Sequence, residues 1–305
     1  MPARSPFPAR AMRLHETGLT LVELMIALAI GLLVVLVAGT LLQQAREAYQ
    51  EMDDAGRVEE TGRVALDHLQ QVLRQAGHLP LESLPDGSSP ALLPGLRGLD
   101  DSRQADALDP AAGLFGSSTG DGVNHSDLLM LGFFGAPRGS HAEISHCSGA
   151  QAPVGKPEEA ARHWVIYYIA PGTGDEPELR CRYQGKNGNW TSDAIARGVE
   201  AMQLRYAIDS DGDGDGRPDR WLDASAMPGE AWGRVILVRI ALLVRGVQRR
   251  PAAPGSETRS YDLFLPGRRS DPAWRVTETG QEQRRRAVFQ GSVMLRNLSM
   301  AEAGK

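Results

Sequence analysis

The chain has 305 residues and a formal charge of -5. That is long enough for a sizeable core, and the charge balance lacks the basic stripe that a nucleic-acid protein needs to displace phosphate counterions. Its two cysteines, Cys147 and Cys181, are too few for a disulfide-built scaffold and lack the spacing of a zinc site.

The first element is apolar. From Leu19 to Leu42 the only ionisable residue is Glu23, and a helix over these residues spans ~36 Å, enough to cross a bilayer with some tilt. Arg4, Arg10 and Arg13 outnumber Glu16 in the preceding stretch, which predicts a cytoplasmic start and a chain that otherwise lies outside. An ordinary secretory signal has a short apolar core followed by a small-x-small cleavage site. Here the run is too long, and the small residue, Gly18, precedes it. A plain membrane anchor accounts for everything except Glu23. An acid near the centre of a bilayer costs ~2.5 to 3.5 kcal/mol on insertion scales, so it needs a partner.

The stretch "TGLTLVELMIALAIGLL" closely resembles the N-terminus of type IV prepilins at Gly18, Thr20 and Glu23. The resemblance implies that residues 1–18 are a leader, removed by a prepilin peptidase that cuts between Gly18 and Leu19. It also implies methylation of the new amine on Leu19 and a role for Glu23 in neutralising the terminal amine of a neighbouring subunit during assembly. Leu19 departs from the commoner Phe at that position.

Val58, Ala65, Leu69, Val72 and Ala76 recur at helical spacing, which extends the helix over 19–78, with the membrane part at 19–42. Gly77, followed by Leu79 and Pro80, predicts its stop. Gly31 and Gly39 suit either a softened helix or close packing. Residues 79–122 contain 12 Gly or Pro among 44 and read as a loop, the αβ loop of a pilin by resemblance. It is either a subunit contact or a spacer.

Residues 123–305 read as β-rich, and residues 79–305 as one globular domain. Seven stretches, beginning with "SDLLMLGFFGA" and "HWVIYYIA" and ending with "RRRAVFQGSVMLRNL", are β-branched or aromatic and separated by turn residues. They predict an antiparallel sheet. Met202, Leu204, Tyr206 and Ile208 share the face expected to pack on the helix stripe, opposite Gln203 and Arg205. The fold class is thus α+β, a long N-terminal helix on an antiparallel sheet. "GRVALDHLQQVLRQAGH" at 62–78 and the terminal stretch at 284–298 resemble the PilW group of minor pilins, akin to the J-type pseudopilins of type II secretion. Between these stretches the resemblance is diffuse.

"DSDGDGDGRPDRW" holds five Asp within residues 209–219, which repel one another unless a cation or solvent intervenes. Counted from Asp211, the spacing offers Asp211, Asp213 and Asp215, a turn glycine at Gly216, the Arg217 carbonyl and Asp219, an oxygen set suited to Ca²⁺. A register using Asp209, Asp211 and Asp213 is equally compatible. Leu222 replaces the usual bidentate Glu, and Asp223 is the nearest substitute. The alternative is a solvated Asp-Gly turn.

Cys147 and Cys181 are expected to pair in an oxidising periplasm, with free thiols as the alternative. His141 and His146 near Cys147 fit no metal pattern and read as loop polars. "RRR" at 284–286 reads as a solvated edge. No catalytic motif is present.

The resemblance implies a minor pilin rather than an enzyme, anchored in the inner membrane with a periplasmic domain and then incorporated into the filament. Its implied partners are other minor pilins, the major pilin, the prepilin peptidase, the assembly platform and a tip adhesin. The implied role is priming of assembly near the tip, supporting twitching motility and adhesion. The competing readings are a J-type secretion pseudopilin and an anchored periplasmic enzyme.

Overall fold

The computed structural model describes residues 18, 20–80, 94–104, 107–136, 144–152, 162–185, 188–213, 215–264 and 272–297. The chain divides into two compact units, Met1–Met52 and Asp53–Lys305. A single helix, α1, covers Leu21–Leu73 and contributes to both.

In the second unit α1 buries the stripe the spacing predicts. Val58, Ala65, Leu69, Val72 and Ala76 are all buried in the main core. Gly77 then takes a left-handed conformation (φ 70°) and donates its N–H to the Gly132 carbonyl at 2.9 Å. Helix ends leave carbonyls without partners. Here the Asn297 side-chain amide donates to the Arg74 and Ala76 carbonyls at 3.0 and 3.3 Å, joining the end of the chain to the end of the helix. Asp54 is buried on the same helix, and its Oδ1 accepts the backbone N–H of Val247 at 2.9 Å.

Eleven strands follow among the described residues. β1 (Leu96–Leu99), β2 (Leu128–Phe133), β3 (His163–Pro171), β4 (Pro177–Gln184) and β5 (Trp190–Arg197) form an antiparallel meander in that order. A second antiparallel sheet has the order β11-β8-β6-β7, built from β6 (Val199–Ile208), β7 (Arg220–Leu222), β8 (Val235–Pro251) and β11 (Glu282–Met294). β9 (Thr258–Asp262) and β10 (Arg275–Thr279) make a two-stranded sheet. Among the described residues the expected single sheet is therefore three.

The division falls at Gly198, between β5 and β6. Its φ is 85°, and a Cβ there would lie 2.9 Å from the Arg245 carbonyl, so glycine is what lets the chain leave one sheet for the other.

Alternate residues of both large sheets enter the core around α1, among them Leu129, Leu131, Val165, Tyr167, Met202, Leu204, Tyr206, Ile208, Ile240 and Leu242. The opposite faces are also covered. Leu108 and Phe115, from the predicted loop, pack with Met130, Trp164 and Ile166. On the second sheet Leu263 and Phe264 pack with Ala201, Ala241 and Leu243. Residues 79–122 thus include an ordered cover and the strand β1; residues 81–93 and 105–106 of that stretch lie outside the described residues.

Cys147 and Cys181 form a disulfide across a sequence separation of 34, tying a loop to β4. His146 stacks on Tyr183 with ring centroids 5.0 Å apart and makes a hydrogen bond with Ser148, so it behaves as a loop polar. His141 lies outside the described residues. The solvated-edge reading of "RRR" needs correction at Arg286, whose side chain is only 7% exposed. It pairs with Glu200 at 2.8 Å and also with Glu278, and these neighbouring carboxylates hold its guanidinium firmly charged although burial opposes the charge. Burying Arg286 is tolerable because both partners are buried with it.

Candidate functional site in the first helical turn

Glu23 sits in the first turn of α1, and its backbone explains part of the sequence "TLVE". Thr20 Oγ1 accepts the Glu23 N–H at 3.3 Å, and a Glu23 carboxylate oxygen accepts the Thr20 N–H at 3.4 Å. These reciprocal bonds are a capping box, which satisfies two of the donors every helix start leaves open. The Leu24 N–H meets the Thr20 carbonyl at 3.1 Å, which makes Thr20 the residue that opens the helix. Sequence reasoning took Glu23 as a membrane acid that pairs with a neighbouring subunit's amine; the Thr-x-x-Glu spacing was the available signal for its second role.

Beyond this turn α1 is apolar and exposed. Leu21, Leu32 and Val35 are each more than 70% accessible, and the run to Leu42 buries nothing within the chain. The helix is long and apolar enough to cross a membrane. It passes unbroken through Gly31 and Gly39, where an added Cβ would meet nothing within 4 Å. Gly18 is described; Leu19, the expected site of cleavage and methylation, lies outside the described residues.

Two family models match the chain. Residues 13–39 match the prokaryotic N-terminal methylation motif, which includes Gly18, Thr20 and Glu23. Residues 166–297 match the type IV pilus-assembly protein W, from within β3 to the Asn297 that caps α1. Residues 166–297 are thus similar to the PilW family, and residues 13–39 to the methylation motif of type IV pilins.

The family match covers the later part of the middle, where the sequence resemblance is diffuse, together with the terminal stretch to residue 297, and leaves residues 62–78 outside. Among solved structures, a type IV-like pilin from Thermus thermophilus is 15% identical, with a TM-score of 0.43 over 80% of this chain and 98% of that one. No curated protein matches the chain. Both matching family models are those of pilins.

The acidic loop joins β6 to β7. Asp219 holds its neck: one carboxylate oxygen accepts the Ser210 N–H at 2.7 Å and the Ser210 hydroxyl at 3.2 Å. The backbone bond from Ser210 leads the causes that hold the Asp219 carboxyl below its ordinary pKa. Asp209, Asp211, Asp213 and Asp215 each accept a backbone N–H two or three residues on, from Gly212, Asp213, Asp215 and Arg217 respectively. These bonds fold the loop into successive Asx turns. One carboxylate oxygen from each of Asp209, Asp211 and Asp213 lies within 4.8 Å of the others, an all-oxygen set of the kind Ca²⁺ takes. Asp215 is engaged with the Arg217 guanidinium at 3.8 Å, and Asp219 with the loop neck.

Proposed function

We propose that this pilin is a minor subunit that primes type IV pilus assembly and enters the filament near its tip, supporting twitching motility and adhesion. The observation that carries the reading is Glu23, an acid in the first turn of an otherwise apolar, exposed helix and five residues beyond Gly18. The leader with Arg4, Arg10 and Arg13 stays cytoplasmic, the domain from residue 79 onward is periplasmic, and prepilin peptidase cuts after Gly18. The methyl group is then carried by Leu19.

Physically, the exposed apolar helix has two compatible environments, the bilayer and a bundle of like helices. In either, the Glu23 carboxylate loses water and needs a cation, which the free amine of a neighbouring subunit supplies. Extraction from the membrane and docking into the filament are then coupled through one charge pair. The partners are the major pilin, other minor pilins, the assembly platform and a tip adhesin. The loop at 209–219 takes a structural Ca²⁺ on Asp209, Asp211 and Asp213, the register supported by the clustering of those carboxylates.

Deletion of the gene tests the pilus assignment. Loss of surface pili and twitching with protein secretion intact is the expected result. Loss of secretion with pili intact would contradict it and favour the J-type pseudopilin.

A further inference from the structure

The outer face of the second sheet carries two arginines with more positive charge than the fold uses. Arg205 on β6 stands directly opposite Arg239 on β8. Like charges at such positions destabilise a sheet. Further along this face Leu263 and Phe264 cover Ala201, Ala241 and Leu243, whereas Arg239 is exposed. Among the described residues the carboxylate in ion-pair contact with the pair is that of Asp223, 3.1 Å from Arg205. Among the described residues Arg239 has no hydrogen-bond or ion-pair partner; its guanidinium instead lies over the Trp221 ring, 4.7 Å from the centroid. Arg205 lies 4.7 Å from the Trp274 centroid and 6.0 Å from that of Trp221.

We propose that this Arg205–Arg239 face, framed by Trp221 and Trp274, is a receptor for an acidic peptide segment of a partner protein. A guanidinium stacked on an indole is held in place while its N–H edge stays available for a carboxylate in bidentate geometry. Ordering it beforehand removes part of the entropy cost of binding. Arg and Trp are also the residues that most often dominate interface energetics.

The other anionic classes fit less well. A sugar ring would need an open indole face, but Trp221 lies under two guanidinium groups, and Trp274 is engaged by Arg205 and by the Phe264 ring at 5.4 Å. A nucleic-acid strand is a long polyanion, and the Asp209–Asp219 loop enters β7 immediately before Trp221, placing repelling charge beside the receptor. A short carboxylate-bearing segment satisfies the arginines without extending over that loop. The inference does not depend on the assembly reading.

The test uses the full-length protein in detergent at low salt, with a fluorescently labelled hexaglutamate peptide followed by anisotropy and unlabelled heparin oligosaccharide as competitor. Arg239→Ala is expected to weaken binding about tenfold, with an unchanged melting temperature because the side chain is exposed. Arg239→Lys, which keeps charge but loses the planar fork, should fall between. Arg63→Ala, removing an exposed arginine on α1, should leave binding unchanged. Equal losses for Arg63→Ala and Arg239→Ala, or no loss for either, would overturn the proposal, as would heparin binding more tightly than the peptide through Arg239.

Discussion

Replacing Glu23 separates two roles that the wild-type side chain combines. In Glu23→Ala the capping box is lost, at ~1 kcal/mol, but so is a charge that costs ~2.5 to 3.5 kcal/mol in the bilayer. Membrane insertion should therefore improve by ~1.5 to 2.5 kcal/mol, and any assembly defect cannot come from failure to insert. If Glu23 pairs with a neighbour's amine, removing it leaves that amine buried and unpaired, at ~3 to 5 kcal/mol. That is about two to three and a half orders of magnitude in a docking equilibrium.

Glu23→Gln keeps a side-chain acceptor for the Thr20 N–H, 3.4 Å away in the wild type, yet carries no charge. Thr20→Ala removes the other half of the box and keeps the charge. The assay is an immunoblot of sheared filaments against the membrane pool, in a strain expressing each variant as the sole copy. Glu23→Ala and Glu23→Gln should both leave the subunit in the membrane, while Thr20→Ala should reduce incorporation by no more than about fivefold. If Glu23→Gln enters filaments like the wild type, the helix cap is sufficient and the charge-pair argument is wrong.

Further expectations concern the second unit. If Asp209, Asp211 and Asp213 hold Ca²⁺ with a Kd on the order of 10⁻³ M, calcium at ten times that value should add ~1.4 kcal/mol of stability, measured as a rise in Tm over the chelated protein. Asp209→Asn should abolish the rise and Asp215→Asn should keep it; the reverse pattern selects the Asp211-to-Asp219 register, and no rise in the wild type removes the site. Reducing Cys147–Cys181 should lower unfolding free energy by about 3 to 4 kcal/mol in denaturant titrations, from a closed loop with sequence separation 34; a change below about 1 kcal/mol would contradict this. The His68 imidazole makes a hydrogen bond with the Tyr167 hydroxyl at 3.0 Å, and burial holds its pKa below 6.5. The unfolded chain therefore binds that proton more readily, so the contribution of His68 is complete above pH 6.5 and is lost as pH falls below it. Between about pH 7.5 and about pH 5, His68→Gln should lose less stability than the wild type; parallel losses would refute the assignment.

Much of this architecture was legible in the sequence because it is local or periodic. The stripe from Val58 to Ala76 follows the helical repeat and is buried as read, but α1 ends at Leu73, short of the expected residue 78, and Gly77 lies in the turn beyond it. The strands that went unread have weak local signals: β5 reads "WTSDAIAR" and is largely exposed, β7 has three residues, and β10 is "RVTET". The number of sheets was hidden because it depends on one glycine, Gly198, and on pairings between distant segments. Covering both faces also erased alternation, as in β2, where every residue of "LLMLGF" is buried. Arg286 was misjudged because its partner Glu200 is 86 residues away, and Glu278, although close in sequence, is brought to it only by the fold. At the first helical turn, the family motif pointed to assembly and obscured the ordinary capping chemistry of Thr20 and Glu23.

Mass spectrometry of the N-terminus of protein isolated from cells with an active prepilin peptidase tests the central claim most directly. A mature chain that begins at Leu19 and carries a methyl group on its amine is the predicted result. A chain that retains residues 1–18 would contradict the account, because the amine that Glu23 is meant to meet would not exist.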